Sequence, residues 1–540
     1  MKLLIAIAAV LVAGGAGLVF WYVDSLPDVT VNEYEQVPVP EGARDELPDV
    51  IIVSVDALRA DAIGASGNER VSTPRIDELA KRGVYFTEAT TPFPRTTPAL
   101  ASMLTGLRPA NHGSTEVFDD MKRGRTMAEE LRDMGYATLA VSANAAASAN
   151  QNLDKGFSTF YLDRGAQAEE LTDLTLDVVT EVTDDRPLFL WVHYLDPHFV
   201  YKPPSDWRPE VQDDRCLDMM WSVSLGTIER ADVYSNKDNV AREALASCRE
   251  YYWSEVEYAD HHVGRLLDGL DEMGRLDNAV TVFTADHGEN LGEQDLYYEH
   301  GPSPHDASVR IPLILLKEEW EPGRDRGVAT LEDLASTIYD VLEIDPGDRP
   351  GTDGTSLFAR LEDPEARKEV ADGRMAYIHG GRPLHSTMYR YPVSGREEGT
   401  RCVNGPRYSA CEEEGEPARL YLRAEDPERE RDLAGQEPEK LEELLEEGEN
   451  VRWDSQFPIG VRTPSFKLVA YPTLSGIRRQ ELYDLATDAS ERVDVSEKFP
   501  AELETLSGKL HDWFDRGEAG GPRQLTEDEL GQMRALGYVE

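Results

Sequence analysis

A strand-length run of apolar residues that stops on a carboxylate occurs twice in this chain. DVIIVSVDALR, from Asp49 to Arg59, delivers Asp56; AVTVFTADHGE, from Ala279 to Glu289, delivers Asp286 and His287. Unbroken Val, Ile and Phe runs belong to parallel strands covered on both faces, and such sheets bind ligands beyond the carboxyl ends of their strands. The pair therefore predicts an α/β fold with a ligand site where the two strands end. The intervening sequence keeps the alternation. Ser72, Thr73 and Pro74 open a helix through IDELAKRG that Gly83 closes, and TMAEELRDMG from Thr126 leads into the strand YATLAVSAN. Asn144, just past that strand, reads as a loop residue. Helix-strand alternation of this kind is the pattern of a parallel sheet.

Between the two strands lies PFPRTTPALASMLTGLRP, from Pro92 to Pro109. Pro98 suits a first helical turn, Thr96 or Thr97 reads as the N-cap, ALASMLT is a short apolar helix, and Gly106 ends it. A hydroxyl at a helix N-terminus faces unpaired N–H groups and the positive end of the dipole, which favours phosphate or sulfate. Thr96, Asp56, Asp286 and His287 together form a ligand set for a divalent metal.

Two further segments carry titratable side chains toward the same edge. PLFLWVHYLDPHFVYKPP, from Pro187, runs into His193, Asp196 and His198; His193 lies inside the apolar run and reads as a packed core residue. After His287, a Gly-containing loop reaches His300, Gly301, His305 and Asp306, then RIPLILL, which Arg310 opens as a salt-bridge residue. Glu250 to Gly274 is an amphipathic helix with Val263, Leu266, Leu267 and Leu270 on one face. Its His261 and His262 point about 100° apart and read as structural.

The net charge of −48 excludes nucleic acid as a partner, because phosphate backbones repel such a surface. Leu3 to Val23 is apolar throughout and matches the roughly 20 residues that a bilayer-crossing helix needs. Lys2 before it, Trp21 and Tyr22 at its far end and acidic residues beyond predict an N-terminal membrane anchor with the rest of the chain outside the cytoplasm. A signal peptide cleaved near AGGAG is the alternative for residues 1–23. Residues 24–47, polar and Pro-containing, read as a linker. An even cysteine count in that compartment predicts two disulfides. Cys216 and Cys248 share one insertion and Cys402 and Cys411 lie close together, while spacing leaves the pairing among three connectivities open. The polar stretch from Ser205 to Ser247 reads as a lid or substrate wall.

VDALRAD, TPALASMLTGLRPANHG, HYLDPH and TADHGENLGE, in this order, resemble the sulfatase family of the alkaline phosphatase superfamily, from about Pro48 to the last residue. The resemblance implies a mostly parallel sheet sandwiched by helices in a catalytic domain at 48–368. It also implies a small antiparallel α+β subdomain at 369–525, followed by a C-terminal helix at 526–540. Within the subdomain, STMYRYPV and ARLYLRAEDP are echoed by RTPSFKLVAY and QELYDLATD, which reads as a duplicated segment.

The family signature, Cys or Ser followed by x-Pro-x-Arg, aligns with Thr96, Thr97, Pro98, Ala99 and Leu100. Thr96 cannot yield the formylglycine aldehyde, and the signature Arg is Leu100. Threonine nucleophiles occur in related phosphodiesterases and phosphoethanolamine transferases. The resemblance thus implies Thr96 as nucleophile and as ligand, with Asp56, Asp286 and His287, of a divalent metal. It further implies that His198 and His300, with Arg95, meet the substrate oxygens, and that Asp196 or His305 makes a second metal or substrate contact. Calcium or magnesium is the family's metal. Ala57 replaces the second of two successive Asp residues, which together with His287 tilts the site toward zinc or manganese. The implied activity is hydrolysis of a sulfate or phosphate ester or diester of a small molecule, glycan or lipid. Its alternatives are a membrane-anchored transferase of phospho-substituents in the cell envelope and a non-catalytic envelope protein of the same fold.

Overall fold

The computed structural model describes residues 28–32, 47–182, 186–209, 216, 239–293, 296–301, 303–369, 374–379, 400–404, 408–413, 419–422, 458–473 and 476–515. The expected anchor or signal segment at 1–23, most of the linker and of the Ser205–Ser247 insertion, and the helix expected at 526–540 lie outside them. No helix among the described residues is long and apolar enough to cross a membrane.

The chain's strands are β1 (Asp28–Val31), β2 (Asp49–Val55), β3 (Val84–Thr90), β4 (Ala137–Ser142), β5 (Thr159–Leu162), β6 (Leu188–Tyr194), β7 (Ala279–Ala285), the short hairpin β8 (Asn290–Leu291) and β9 (Tyr297–Glu299), β10 (Leu313–Leu316) and β11 (Gly323–Thr330). Apart from β8 and β9 they form one 9-stranded sheet in the order β1-β5-β4-β6-β2-β7-β10-β3-β11. β2 sits in the middle, parallel to β6 on one side and β7 on the other. β4 and β5 continue the parallel array, while β10 runs antiparallel between β7 and β3. Every residue of β2, β6 and β7 is buried, which is why these three segments are unbroken apolar runs in sequence.

Helices cover the sheet in two groups. α1 (Pro74–Arg82) and α4 (Ala168–Val179) pack on the long α5 (Asn239–Glu272), and α2 (Thr96–Thr105) packs on α3 (Met127–Asp133) and α7 (Asp333–Val341); α6 (Asp306–Val309) is a single turn after the β8–β9 hairpin. Cys216 is disulfide-bonded to Cys248, the tenth residue of α5, which selects one pairing from those the sequence leaves open. All ten residues of α2 are buried, as its all-round apolar sequence requires. The helix starts one residue earlier than the sequence suggests. Arg95 holds the N-cap position without a side-chain cap, Ala99 N donates to Arg95 O at 3.0 Å, and Thr96 is the first helical residue. The Thr96 hydroxyl is therefore not spent on capping. Gly106 ends α2 at φ 69°, donating to Ser102 O.

Beyond the 9-stranded sheet, β12 (Ala376–His379), β16 (Ile459–Arg462), β17 (Phe466–Thr473) and β18 (Gly476–Asp484) form a 4-stranded antiparallel sheet; β13 (Thr400–Asn404), β14 (Tyr408–Glu413) and β15 (Arg419–Leu422) form a separate 3-stranded one, in whose register Cys402 stands opposite Cys411. The second copy of the duplicated segment is thus the β17–β18 hairpin, whereas RLYL of the first copy belongs to the other sheet. α8 (Pro500–Asp515) lays Leu506, Leu510 and Trp513 on Ile459, Val461, Leu468 and Leu482, an i, i+4, i+7 stripe. Burying each such side chain contributes about 1.5–3 kcal/mol.

Candidate active site

Strand register assembles the site. Ser142 of β4, His193 of β6, Ser54 of β2 and Thr284 of β7 stand level across four neighbouring strands. Strand side chains alternate faces, so Asn144, Asp56 and Asp286, each two residues further on, leave the sheet on the same side. Asn144 Nδ2 donates to Asp56 Oδ2, and Ala57 N donates to Asp286 Oδ1 at 3.2 Å. His193 Nε2 lies 3.5 Å from Asp56 Oδ2. His287 Nε2 lies 3.6 Å from Asp56 Oδ1, 3.3 Å from Asp286 Oδ2 and 3.3 Å from Thr96 Oγ1. Four of the expected residues, Asp56, Thr96, Asp286 and His287, meet at one buried point.

His193 and Asn144 adjoin the same point. His193 is the buried, hydrogen-bonded strand residue expected from sequence, and its Nε2 also faces the carboxylates. Asp56, His193 and Asp286 each offer a ligand atom within 4.8 Å of the other two. Asn144 is likewise more than a loop residue, since its amide holds the Asp56 carboxylate while its Oδ1 accepts from Ala146 N at 2.7 Å.

A divalent cation fits this donor set. Asp56 Oδ1, Asp286 Oδ2 and His193 Nε2 are buried without a hydrogen-bond partner. His193 Nδ1 sits 2.9 Å from Ser54 Oγ, whose own proton is directed to Val192 O. A cation held here would take the Nε2 lone pair, with Nδ1 then carrying the ring proton toward Ser54 Oγ. The electrostatics agree. Burial, reinforced by the charge of Asp56, pushes the Asp286 carboxyl far above its usual value. Asp56 stays low although burial opposes it, held by the fields of His198, His193 and His287. Two carboxylates that cannot both ionise while buried together leave a deficit of positive charge between them.

The remaining expected residues divide into two groups. His300 stacks on His287 with centroids 4.2 Å apart and lies 5.0 Å from His198; Glu289 Oε1, 3.3 Å from His300 Nδ1, orients it. His198 Nδ1 faces Phe199 O at 2.6 Å, so its Nε2 is left for other partners. Arg95 pairs with Glu116 at 3.8 Å and packs on Gly301, where an added Cβ would come 2.3 Å from Arg95 Cζ. Burial lowers His287 below its usual value, and Arg95 adds to that, while Asp56 opposes it.

Asp196 and His305 are engaged elsewhere. Asp196 Oδ2 accepts from Ala168 N at 2.8 Å at the head of α4, and burial raises its carboxyl to about 7. His305 bonds Ser303 Oγ at 2.6 Å and faces the Tyr483 ring of the C-terminal sheet. Ala57, where a second carboxylate is expected, contributes its backbone N–H from a left-handed conformation, φ 56°. Leu100, in the position of the signature Arg, is wholly buried in the core.

The family description "Sulfatase" matches residues 48–344, more than half of the chain. The chain belongs to the sulfatase family. Sulfatases are metal-dependent hydrolases of sulfate esters, and Asp56, His193 and Asp286 of this chain form a cluster that could hold a metal ion. It is 24% identical over 421 residues to an arylsulfatase of Clostridium perfringens, covering 65% of this chain and 85% of that one. Among solved structures it is similar to a sulfatase of Bacteroides fragilis, with a TM-score of 0.61 and 16% identity over 91% of this chain and 98% of the other. A second, solved in complex with its substrate D-glucosamine-2-N,6-O-disulfate, has a TM-score of 0.59 and 17% identity over 88% of this chain and 99% of that one. These two structures show the sulfatase fold.

Proposed function

We propose that this sulfatase-family chain hydrolyses sulfate or phosphate esters, phosphodiesters included, with Thr96 as the nucleophile in place of formylglycine. The observation that carries this reading is the Thr96 hydroxyl at the head of α2, 3.3 Å from His287 Nε2 and beside the Asp56, Asp286 and His193 cluster. A divalent cation held by Asp56, Asp286, His193 and His287 supplies Lewis-acid stabilisation of the threonine oxygen when bound. Two imidazoles beside two carboxylates favour zinc or manganese over calcium, which prefers an all-oxygen shell.

The chain's own residues perform the rest. His287 Nδ1 faces Gly288 O at 2.9 Å and therefore carries the ring proton, which leaves the Nε2 lone pair, beside Thr96 Oγ1, to hold the cation. Thr96 Oγ1 gives up its proton to water and attacks sulfur or phosphorus, the bond to the leaving oxygen breaks, that oxygen takes a proton from water, and a Thr96 ester forms. His198 and His300, with Arg95, stabilise the non-bridging oxygens. Water then cleaves that ester, releasing sulfate, phosphate or, from a diester, a phosphate monoester, and restoring the hydroxyl. The disulfated glucosamine held by a structural neighbour supports a sulfated sugar as the substrate class, and the apolar segment at 1–23 supports membrane tethering outside the cytoplasm.

The test is hydrolysis of nitrophenyl sulfate, nitrophenyl phosphate and bis-nitrophenyl phosphate after metal stripping and re-addition. Turnover of any of the three restored by zinc or manganese supports the reading. Silence on all three with metal bound contradicts it.

A further inference from the structure

The loop that carries Asp286 and His287 takes part of its support from outside itself. It lies on α6: Gly288 N donates to Ser308 O at 2.7 Å, and Asn290 Nδ2 donates to Ser308 Oγ at 2.5 Å. The contact is close enough that a Cβ on Gly288 would come 2.2 Å from Ala307 O. A single helical turn has little stability of its own, so something else must fix α6.

That support comes from the C-terminal sheet. Asp306, the first residue of α6, accepts from Lys467 Nζ at 2.8 Å and from Arg462 Nε and Nη2, each at 3.0 Å. Its backbone N–H donates to Glu491 Oε2 at 2.6 Å, and Lys467 pairs with Glu491 at 3.2 Å. Arg462 also reaches Glu88 of β3 at 2.8 Å. Lys467 is 0% exposed and Arg462 1%, so neither cation is screened by solvent. The same sheet grips the other half of the site. His379 N at the end of β12 donates to Pro92 O at 2.9 Å, and its ring lies 6.0 Å from Phe93 and 4.8 Å from Trp513 of α8. Thr96 follows Pro92 by four residues. The contact between Thr96 Oγ1 and His287 Nε2 is therefore the joint between two loops that the C-terminal subdomain braces independently.

We propose that Lys467 and Arg462, acting through Asp306 and α6, are positioning residues that set the Asp286–His287 loop against Thr96. The C-terminal subdomain is on this account part of the active site's framework. The inference places residues relative to one another, and only its link to turnover rests on the reaction proposed above.

Hydrogen–deuterium exchange of the loop in the full chain tests it. Lys467→Met keeps the side chain's length and removes its charge. Leu510→Ala serves as control, because it weakens the same subdomain's core without touching the ion cluster. Exchange across residues 286–291 should be roughly tenfold faster in Lys467→Met, reporting a more frequent local opening, and unchanged in Leu510→Ala. If Lys467→Met fails to fold, Asp306→Asn is read the same way. Equal exchange in a folded Lys467→Met or Asp306→Asn overturns the proposal, as does equal acceleration in Leu510→Ala. Absence of metal binding or hydrolysis in the unmodified chain sinks the proposed reaction instead and leaves the exchange comparison standing.

Discussion

Thr96 Oγ1 stands 3.3 Å from His287 Nε2, although the two residues are separated by 191 positions and reach one another from different elements of the fold. One is the first residue of a buried helix; the other leaves the carboxyl end of a buried parallel strand. Each anchors one side of the proposed chemistry, and the predictions follow from what surrounds them.

Ser54 orients His193 from behind. Ser54→Ala removes the acceptor of the Nδ1 proton and frees the ring, and loss of such an outer partner weakens metal binding about tenfold or more. Calorimetric titration of the stripped protein with zinc or manganese checks this. Ser102→Ala, which disturbs only the His112 contact, should leave that affinity unchanged.

Asn144 is a neutral donor to an ionised acceptor, an interaction worth about 1.5–3 kcal/mol. Asn144→Ala should lower kcat/KM by roughly 10- to 100-fold, with cooperative unfolding retained. An unchanged kcat/KM would mean that the Asp56 carboxylate is held in place without it.

Two buried groups give pH dependences of opposite sign. Burial, with the nearby His379, lowers His112 to about 3 from an unfolded value near 6.5, so its contribution is complete above about pH 6.5 and is lost as pH falls toward 3. Burial beside Asp333, against the pull of Arg108, raises Glu332 to about 7, so its contribution is complete below about pH 4.5 and is lost as pH rises through 7. Relative to the unmodified chain, His112→Gln should therefore gain stability as pH falls from 6.5 to 5, and Glu332→Gln should gain it as pH rises from 5 to 7.5. Urea midpoints at each pH measure both, at up to about 1.4 kcal/mol per pH unit.

Gly106 combines a left-handed backbone with close packing, since a Cβ there would approach Thr352 Cγ2 to 2.7 Å. Gly106→Ala should destabilise the fold by about 2 kcal/mol or more, from the left-handed penalty and overpacking together. Thermal melts check the loss. Gly351→Ala, with open space at its Cβ, should melt within a degree or so of the unmodified chain.

Much of this site was legible because chemistry and strand ends coincide in sequence. Asp56 and Asp286 each terminate an apolar run, and Thr96 precedes the proline of a helix start. His193 escaped because it lies inside such a run, where an imidazole usually packs. The missing signal was parity. Ser54 pairs with His193 in the β2–β6 register, and Asp56 is two residues beyond Ser54, so ligand and carboxylate share a face. Asn144 is two residues past Ser142 by the same rule. Sequence spacing supplies parity within a strand but not register between strands, because register depends on how the sheet orders β4, β6, β2 and β7. Asp196 and His305 lie near the motifs in sequence, while in space Asp196 bonds at the head of α4 and His305 faces the Tyr483 ring of the C-terminal sheet.

The most direct test of the account is turnover by Thr96→Ala and Thr96→Ser beside the unmodified chain, on whichever nitrophenyl ester the unmodified chain cleaves. The account predicts that Thr96→Ala loses roughly 10,000-fold or more in kcat, as removal of a nucleophile does, while metal is still bound and Thr96→Ser retains measurable activity. A Thr96→Ala protein that turns over within about tenfold of the unmodified chain would contradict it, and the nucleophile would have to be sought elsewhere in the site.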